Sequence, residues 1–444
     1  MSNNRNNKSL GLKELVAIAI GGMVGGGIFT ILGISVSLIG FLTPVAIAIG
    51  GLVAALAAYS YVKLGLYYRD EGATYAFVKK TYPQAKFPSA AIGWLVIFGY
   101  ISTLAIYAYT FSSYAISGTD FANNIWARKG IALGILALFT FINVWSVNGM
   151  GKIEDVMVYT KLIILTIISV VLVQHRNIDM HTFIHNMNTD FGSSNFMNIL
   201  IVASLTFVAY EGFQLVINAV NEMKRPEKDT PKAIYTAITI VIILYVIIAI
   251  GALFSIPLDE MARDKEYALA AGAKNAIGSI GEWMVIIGAI LATSSAISGT
   301  LFGSSRQMAE IAEDGFLPKK LSKRTSSNIP ATAVISMAVM AAILILAGGL
   351  RLLVEFGSIT FLAVSLLMAI INYRIREKTN SSSVITLLAI LGLSMGGILI
   401  LYYEFTHKWE QMMAILVVYL VLTLGAWLYS KKGHFVIKNK ENNG

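Results

Sequence analysis

The chain contains no cysteine, five histidines and eight prolines, and only 13% of its 444 residues are charged. Without cysteine it can form neither a disulfide nor a thiolate metal site, so cysteine usage says nothing about redox compartment. His175, His181 and His185 share one polar stretch at spacings of 6 and 4, while His407 and His434 stand apart without a carboxylate constellation. That gives poor support to metal catalysis and leaves at most an adventitious surface site; no cofactor is expected. The scarcity of charge excludes a larger class. A chain that is 56% apolar with a mean hydropathy of +0.69 cannot close into a soluble globule under a polar surface. Alternating polarity is missing too: runs such as "ITIVIILYVIIAIGALF" lack the two-residue rhythm of a membrane-spanning β-barrel strand. What remains is an all-α integral membrane protein.

Crossing a hydrocarbon core of roughly 30 Å takes about 20 helical residues. Twelve apolar segments qualify: 14–39, 44–66, 91–115, 130–146, 153–173, 196–222, 233–256, 280–308, 330–349, 352–373, 384–403 and 411–430. The leading stretch "MSNNRNNKSLGLKEL" is basic like a signal peptide, but the apolar run behind it is too long and no small-residue cleavage site follows. An uncleaved first helix is expected. The net charge of +9 raises the question of a nucleic-acid partner, and the location of the charges argues against one. With the N-terminus inside, the cytoplasmic segments hold 25 of the 34 Lys and Arg residues, the outer loops 8, and one lies within a span. This is the positive-inside pattern, expected for a multi-pass plasma-membrane protein with both termini cytoplasmic. Clusters such as "KRPEKDTPK" (224–232) and "KKLSKR" (319–324) then set topology rather than bind an anionic partner. The outer loops 174–195 and 257–279 carry mixed charge and have room for short surface helices.

Scattered glycines such as Gly50, Gly51 and Gly65 are explained by close helix packing. The first span is denser: Gly21, Gly22, Gly25, Gly26 and Gly27 fall within seven residues, each about 1 kcal/mol worse than alanine inside a helix. Backbone that leaves the helix at membrane depth survives only when buried in protein or lining a watery cavity, so an unwound site is expected there. A transporter built from repeats places a second interrupted helix at the corresponding position of its other half, and span 6 carries "FVAYEGF" (207–213) with Glu211 and Gly212 in mid-span. Spans 1 and 6 are five apart, and an odd repeat inverts its orientation. The reading is therefore two inverted repeats, 14–173 (spans 1–5) and 196–373 (spans 6–10), followed by two extra helices over 384–430, with tails at 1–13 and 431–444. Unwinding frees N–H groups at one half-helix end, where a carboxylate can bind, and C=O groups at the other, where a cation can bind. An amino acid, as a zwitterion, satisfies both.

Four motifs in order bear on this. "GGMVGGGIF" (21–29), "YSYVKLGLYYRDEGATYAFV" (59–78), "FVAYEGF" followed by "NEMKRPEKDTPKAI" (221–234), and "SSRQMAEIAEDGFLP" (304–318) together resemble the amino acid, polyamine and organocation superfamily of transporters across spans 1 to 10. The resemblance implies a 12-helix membrane fold with a 5+5 inverted repeat of the LeuT-like kind, discontinuous helices 1 and 6, and an alternating-access cycle. Glu211 departs from it, because many relatives have an apolar or small residue there.

Two ionisable residues lie deep in spans. Lys161, in "DVMVYTKLIILTIISVV", stands where insertion of a lysine costs about 2.5 to 3.5 kcal/mol. It therefore needs partners or water, unless its stem snorkels to an interface or serves only to fix packing. Burial disfavours the charged form, which makes Lys161 a candidate for proton exchange. Its position also resembles that of a fifth-helix lysine in proton-coupled members, whose ammonium stands in for sodium. That resemblance implies partners near the carbonyls of Gly21 or Gly22 and the hydroxyls of Ser294 and Ser295, and sodium independence. For Glu211 three roles stay open: contact with a cationic substrate, sharing of the coupling proton, or acceptance of hydrogen bonds from freed N–H groups. The expected binding residues are Val24, Gly25, Gly26, Gly27 and Ile28 on span 1 and Phe207, Ala209, Tyr210 and Glu211 on span 6. The glycines would offer N–H groups to a substrate carboxylate and the span 6 carbonyls would take its ammonium. Tyr100 and Phe356 are further candidates for the lining.

A phosphate-binding reading of "GMVGGGIF" fails, because that loop needs a strand before it and a soluble helix after it. No nucleophile and base sit at membrane depth, so an enzyme is not expected. The expected partners are an amino-acid substrate, protons and the lipid bilayer, with no nucleic acid and a monomer as the unit. Symport, amino-acid exchange, transport of cationic amino acids or polyamines, a channel and a transporter-like sensor are not separable by residue type alone.

Overall fold

The computed structural model describes residues 10–431 apart from 71, 123, 146–149, 194–195, 221–222, 264–266 and 326–328. Among these residues everything regular is helical, save one isolated bridge between Leu10 and Met223. In chain order the helices are α1 (Leu12–Met23), α2 (Gly26–Ile39), α3 (Thr43–Tyr68), α4 (Ala73–Thr81), α5 (Lys86–Ala115), α6 (Ile125–Trp145), α7 (Met150–Gln174), α8 (Met180–Ser193), α9 (Phe196–Thr206), α10 (Leu215–Asn218), α11 (Pro226–Ser255), α12 (Leu258–Arg263), α13 (Ala268–Ile277), α14 (Ser279–Glu313), α15 (Ala331–Ala347), α16 (Leu350–Arg374), α17 (Arg376–Thr379), α18 (Ser383–His407) and α19 (Trp409–Ser430). Every apolar segment read from the sequence holds helix. It is interrupted in two of them, 14–39 and 196–222. The expected surface helices of the two long polar loops are α8, and α12 with α13.

Among the described residues ten helical stretches are long and apolar enough to cross a membrane. In that count α2 and α3 run together through the single turn Gly40–Leu42, and the 17-residue α15 falls short. Burial sorts the helices into centre and rim. The apolar stretch of Phe196–Asn218 is 94% buried, against 17% for α6 and 22% for α19. A helix hydrophobic all round belongs in the centre of a large membrane protein, and one with an exposed apolar face belongs at the lipid boundary. The outward residues of α19, Val417, Leu420, Val421, Leu424 and Leu428, recur at helical spacing and form such a face. The interrupted pairs α1/α2 and α9/α10 are therefore enclosed, with α3, α5, α7, α11, α14 and α16 around them.

Polar side chains tie the central helices together. Ser102 of α5 donates to the Leu353 carbonyl of α16 at 2.9 Å, and Ser358 of α16 donates to the Leu205 carbonyl of α9 at 2.9 Å. Each bond links elements more than 150 positions apart in the chain. In an apolar bundle such bonds select one arrangement of helices that hydrophobicity alone would leave free to rotate.

Candidate functional site

Both interruptions have the same local cause, a glycine-bearing stretch that cannot hold an α-helix against its surroundings. After α1, Val24 turns out of the helix (φ −84°, ψ 78°) and Gly25 is non-helical (φ −119°, ψ −139°) before α2 begins. After α9 one turn of 3₁₀ helix, Phe207–Tyr210, leads into extended Glu211 and then Gly212 at φ +124°, a conformation that L side chains strongly disfavour. The two breaks touch. A Cβ on Gly212 would stand 2.3 Å from the carbonyl carbon of Gly22, and one on Gly27 would stand 2.8 Å from Cα of Ala209.

A helix C-terminus leaves carbonyls without partners and carries partial negative charge. Here side chains from three other helices take them up. Lys161 of α7, fully buried, donates from Nζ to the carbonyls of Val24 at 2.6 Å and Gly21 at 3.2 Å, and to Ser295 Oγ of α14 at 2.7 Å. Ser295 in turn donates to the Ala292 carbonyl at 3.1 Å, which leaves its oxygen free to accept. The hydroxyl of Tyr107 on α5 donates to the Gly22 carbonyl at 3.3 Å, and that of Tyr245 on α11 lies 2.9 Å from the Met23 carbonyl and 3.2 Å from the Ala209 carbonyl. Tyr245 thus reaches both broken helices with one hydrogen. The opposite polarity is found at α2, whose first residues Gly26, Gly27 and Ile28 begin the helix with no side chain capping their N–H groups.

Of the residues expected around Lys161, the structure brings Gly21 and Ser295 to its ammonium. Gly22 serves Tyr107 instead, and Val24, expected at the substrate, supplies the shortest of these contacts. Ser294 is buried beside Ser295. Val24, Ile28, Phe207, Ala209 and Tyr210 are all buried, none above 3% exposure, so the site is closed. Gly25 faces Ala296 and Tyr107, and Gly26 faces Thr110. Tyr210 turns its hydroxyl away to the Ile47 carbonyl of α3 at 2.8 Å.

Glu211 is buried in the break, and its Oε2 accepts from the amide of Gln214. Gln214 closes the loop by accepting from the Gly212 N–H at 3.0 Å. Glu211 itself takes no freed backbone N–H, and its Oε1 has no partner among the described residues. Tyr61, Tyr100 and Tyr107 lie within electrostatic range of this carboxyl. Of the two further aromatic candidates, Tyr100 is thus near Glu211. Phe356 packs on Tyr419 with ring centroids 5.4 Å apart. Tyr107, Tyr245, Thr110 and Gln214 went unread in the sequence. Gln214 carried a signal, a polar residue three positions after Glu211, while mid-span tyrosines are indistinguishable by type from packing aromatics. Among the described residues no group of three or more His, Asp and Glu side chains is placed to hold a metal ion.

The sequence motifs also converge in space. Asp314, in the segment ending α14, accepts from the Tyr75 hydroxyl at 2.5 Å and Lys79 Nζ at 2.6 Å of α4, and Gln307 donates to the Gly72 carbonyl at 3.1 Å. Arg69 pairs with Glu227 at 2.5 Å. Stretches far apart in sequence thus meet at two places, α4 with the end of α14 and the end of α3 with the start of α11.

The sequence profile of the amino acid permease family matches residues 10–422 of the chain. The chain belongs to that family. With it comes membership of the amino acid, polyamine and organocation superfamily, and the family marks this permease as a multi-pass membrane transporter of amino acids rather than an enzyme. It is 31% identical over 386 residues to the inner membrane transport protein YbaT of Escherichia coli K12, covering 85% of this chain and 86% of the relative. It is also 26% identical to the chloroplastic cationic amino acid transporter 7 of Arabidopsis thaliana, over 80% of this chain and 63% of that one. With the branched-chain amino acid permease BcaP of Bacillus subtilis 168 it shares 26% identity, over 71% and 69% of the two chains.

Proposed function

We propose that this permease imports amino acids across the plasma membrane by alternating access, coupled to protons and independent of sodium. In this reading it has twelve transmembrane helices and cytoplasmic termini. Residues 14–173 and 196–373 form the two inverted repeats, and α18 and α19 are the additional pair. The observation that carries the coupling is the Lys161 ammonium held by Gly21, Val24 and Ser295. Three oxygens converge on one buried point charge at the C-terminal end of a half-helix, the arrangement that would otherwise suit a monovalent cation. The cation is covalently attached to α7, so dissolved sodium is not required. Loss of its proton removes the charge that holds α1 to α7 and α14, and this ties proton release to movement of the broken helix.

The substrate carboxylate binds at the start of α2, to the N–H groups of Gly26, Gly27 and Ile28, where absent side chains permit close approach. The ammonium binds the carbonyls of the Phe207–Tyr210 turn. In the closed arrangement Gly27 rests against Ala209, so the substrate enters by parting α2 from that turn. The lining supports neutral amino acids. The unpartnered Oε1 of Glu211 favours a second reading, a cationic amino acid whose side chain that oxygen receives.

The deciding experiment reconstitutes the full chain in liposomes and measures uptake of labelled amino acids with and without an inward proton gradient, with and without sodium, for wild type and Lys161→Ala. Uptake that follows the proton gradient, ignores sodium and is lost in Lys161→Ala is the expected result. Uptake that requires internal amino acid and tolerates Lys161→Ala would instead mean an exchanger in which Lys161 is structural.

A further inference from the structure

A second buried charge cluster lies outside the substrate site. Glu355 of α16 and Glu404 of α18 are 1% and 0% exposed, and the packing of α16 on α18, bridged by Arg351 between Glu355 and Tyr403, the residue before Glu404, brings the two carboxyl groups into interaction. Arg351, one turn before Glu355, donates from Nε to Glu355 Oε1 at 2.7 Å and from a terminal nitrogen to the Tyr403 hydroxyl at 2.7 Å. The remaining oxygens, Glu355 Oε2 and both of Glu404, accept no hydrogen bond from described residues.

Two carboxylates face to face have acceptors and no hydrogen to share, and burying a carboxylate without donors costs several kcal/mol. Arg351 compensates one of the two negative charges, through Glu355. A divalent ion, which takes about six oxygen ligands, is a poor occupant for three free oxygens beside a guanidinium. One proton meets the need. Carried on Glu404, it donates to Glu355 Oε2 and turns the contact between acceptors into a hydrogen bond.

We propose that Glu355 and Glu404 form a proton-binding site, separate from Lys161, in which a proton shared by the two carboxyl groups ties α16 to α18. Lys408, one turn after Glu404, lies in electrostatic range of both, and His407 stacks on Tyr403 with centroids 5.1 Å apart. The packed helices add little charge near the pair. On α3 the one charged residue, Lys63, holds the Asn380 carbonyl near the other end of α18. On α5 it is Lys86 at the first residue, α9 has none, and on α19 it is the exposed Glu410; α4 carries Lys79 and Lys80, paired with Asp314 and Asp70, and α17, after the far end of α16, carries Arg376, Glu377 and Lys378. The pair is one turn from Ser358, whose hydroxyl holds the Leu205 carbonyl of the interrupted span. Displacement of α16 from α18 therefore breaks the carboxyl contact and releases the proton, and protonation favours the closed arrangement described above.

The test is infrared spectroscopy of the full chain in lipid vesicles at neutral pH, reading the carbonyl stretch of protonated carboxyl groups in wild type, Glu404→Gln and Glu211→Gln. The expected result is a component absent from Glu404→Gln and retained in Glu211→Gln, since among the described residues Glu211 is the other buried acid without a full set of partners. Thermal unfolding against pH is the second readout. The folded pair holds a proton that unfolded carboxyls no longer hold near neutrality, so wild-type stability falls as pH rises through its release. Glu404→Gln, whose amide replaces the O–H donor, keeps the near-neutral midpoint with a flatter alkaline slope, and Glu404→Ala lowers the midpoint throughout. A carboxyl signal unchanged in Glu404→Gln overturns the proposal, as does a Glu404→Gln protein as unstable as Glu404→Ala.

Discussion

Gly22 and Gly212 meet backbone to backbone: a Cβ on Gly212 would lie 2.3 Å from the carbonyl carbon and 2.6 Å from the carbonyl oxygen of Gly22. The two helix interruptions are thus one structure, in which each broken segment fills the space that a side chain on the other would need.

Gly212→Ala is expected to abolish transport and to lower the thermal midpoint. The positive φ costs about 1 to 3 kcal/mol, and the methyl group has only backbone to displace. Gly22→Ala is milder, because its closest contact is a side-chain tip, Leu215 Cδ1 at 2.8 Å, with the Gly212 backbone farther off at 3.0 Å. Gly26→Leu, which places a side chain against Thr110 at the start of α2, should eliminate substrate binding while the protein still inserts. Unfolding curves and binding isotherms on purified variants check the order, and near-normal uptake by Gly26→Leu would refute the unwound-site reading.

Removing the Lys161 side chain leaves two carbonyls and a hydroxyl without their donor. Each unmet buried acceptor costs about 1 to 3 kcal/mol, so Lys161→Ala should be clearly destabilised, and whatever uptake survives should not respond to a proton gradient. Lys161→Met, of similar length without the charge, should show the same loss of coupling with less loss of packing. Proton co-transport measured in liposomes separates the two effects.

Tyr245→Phe deletes one hydroxyl and no ring. It is expected to cost about 1 kcal/mol and to reduce the maximal transport rate more than it changes apparent affinity, because the hydroxyl joins Met23 to Ala209 rather than lining α2. A change confined to affinity would place Tyr245 at the substrate instead.

Glu211→Gln removes a negative charge while keeping an acceptor for Gln214. A preference for cationic amino acids should disappear in this variant and neutral uptake should persist, measured by competition for one labelled substrate. Persistence of a cationic preference would remove Glu211 from that role.

At the surface, Asp179 precedes α8 and accepts from the Thr182 N–H at 2.8 Å. Its hydrogen bonds to Thr182, first through the side chain and then the backbone, hold its carboxyl below the usual range. A depressed folded-state value means that the cap is present above the ordinary carboxylate pKa and is lost as pH falls through the lower, folded one. The protection of the Thr182 and Phe183 amides, taken relative to their intrinsic exchange rates at each pH, should therefore fall on acidification in wild type and be low at all pH in Asp179→Ala.

The sequence by itself determined the membrane class, the extent of the apolar helices and the position of both interruptions. Those rest on run length, hydropathy and glycine, which act within a few residues of chain. The same local logic marked Lys161 and Glu211, since an ionisable group inside an apolar run is conspicuous wherever the run packs. The partners were decided by tertiary structure. Met23 and Tyr245 are 222 positions apart and Gly21 and Lys161 are 140 apart, and a carbonyl looks the same in any sequence until packing shows which side chain reaches it. For that reason Val24 could be placed at the break from the sequence, while the acceptance of Lys161 Nζ by its carbonyl was visible only in the packing. The pairing of Glu355 with Glu404 has the same origin: each glutamate looks ordinary near a helix end, and only the packing of α16 against α18 buries them together without a donor.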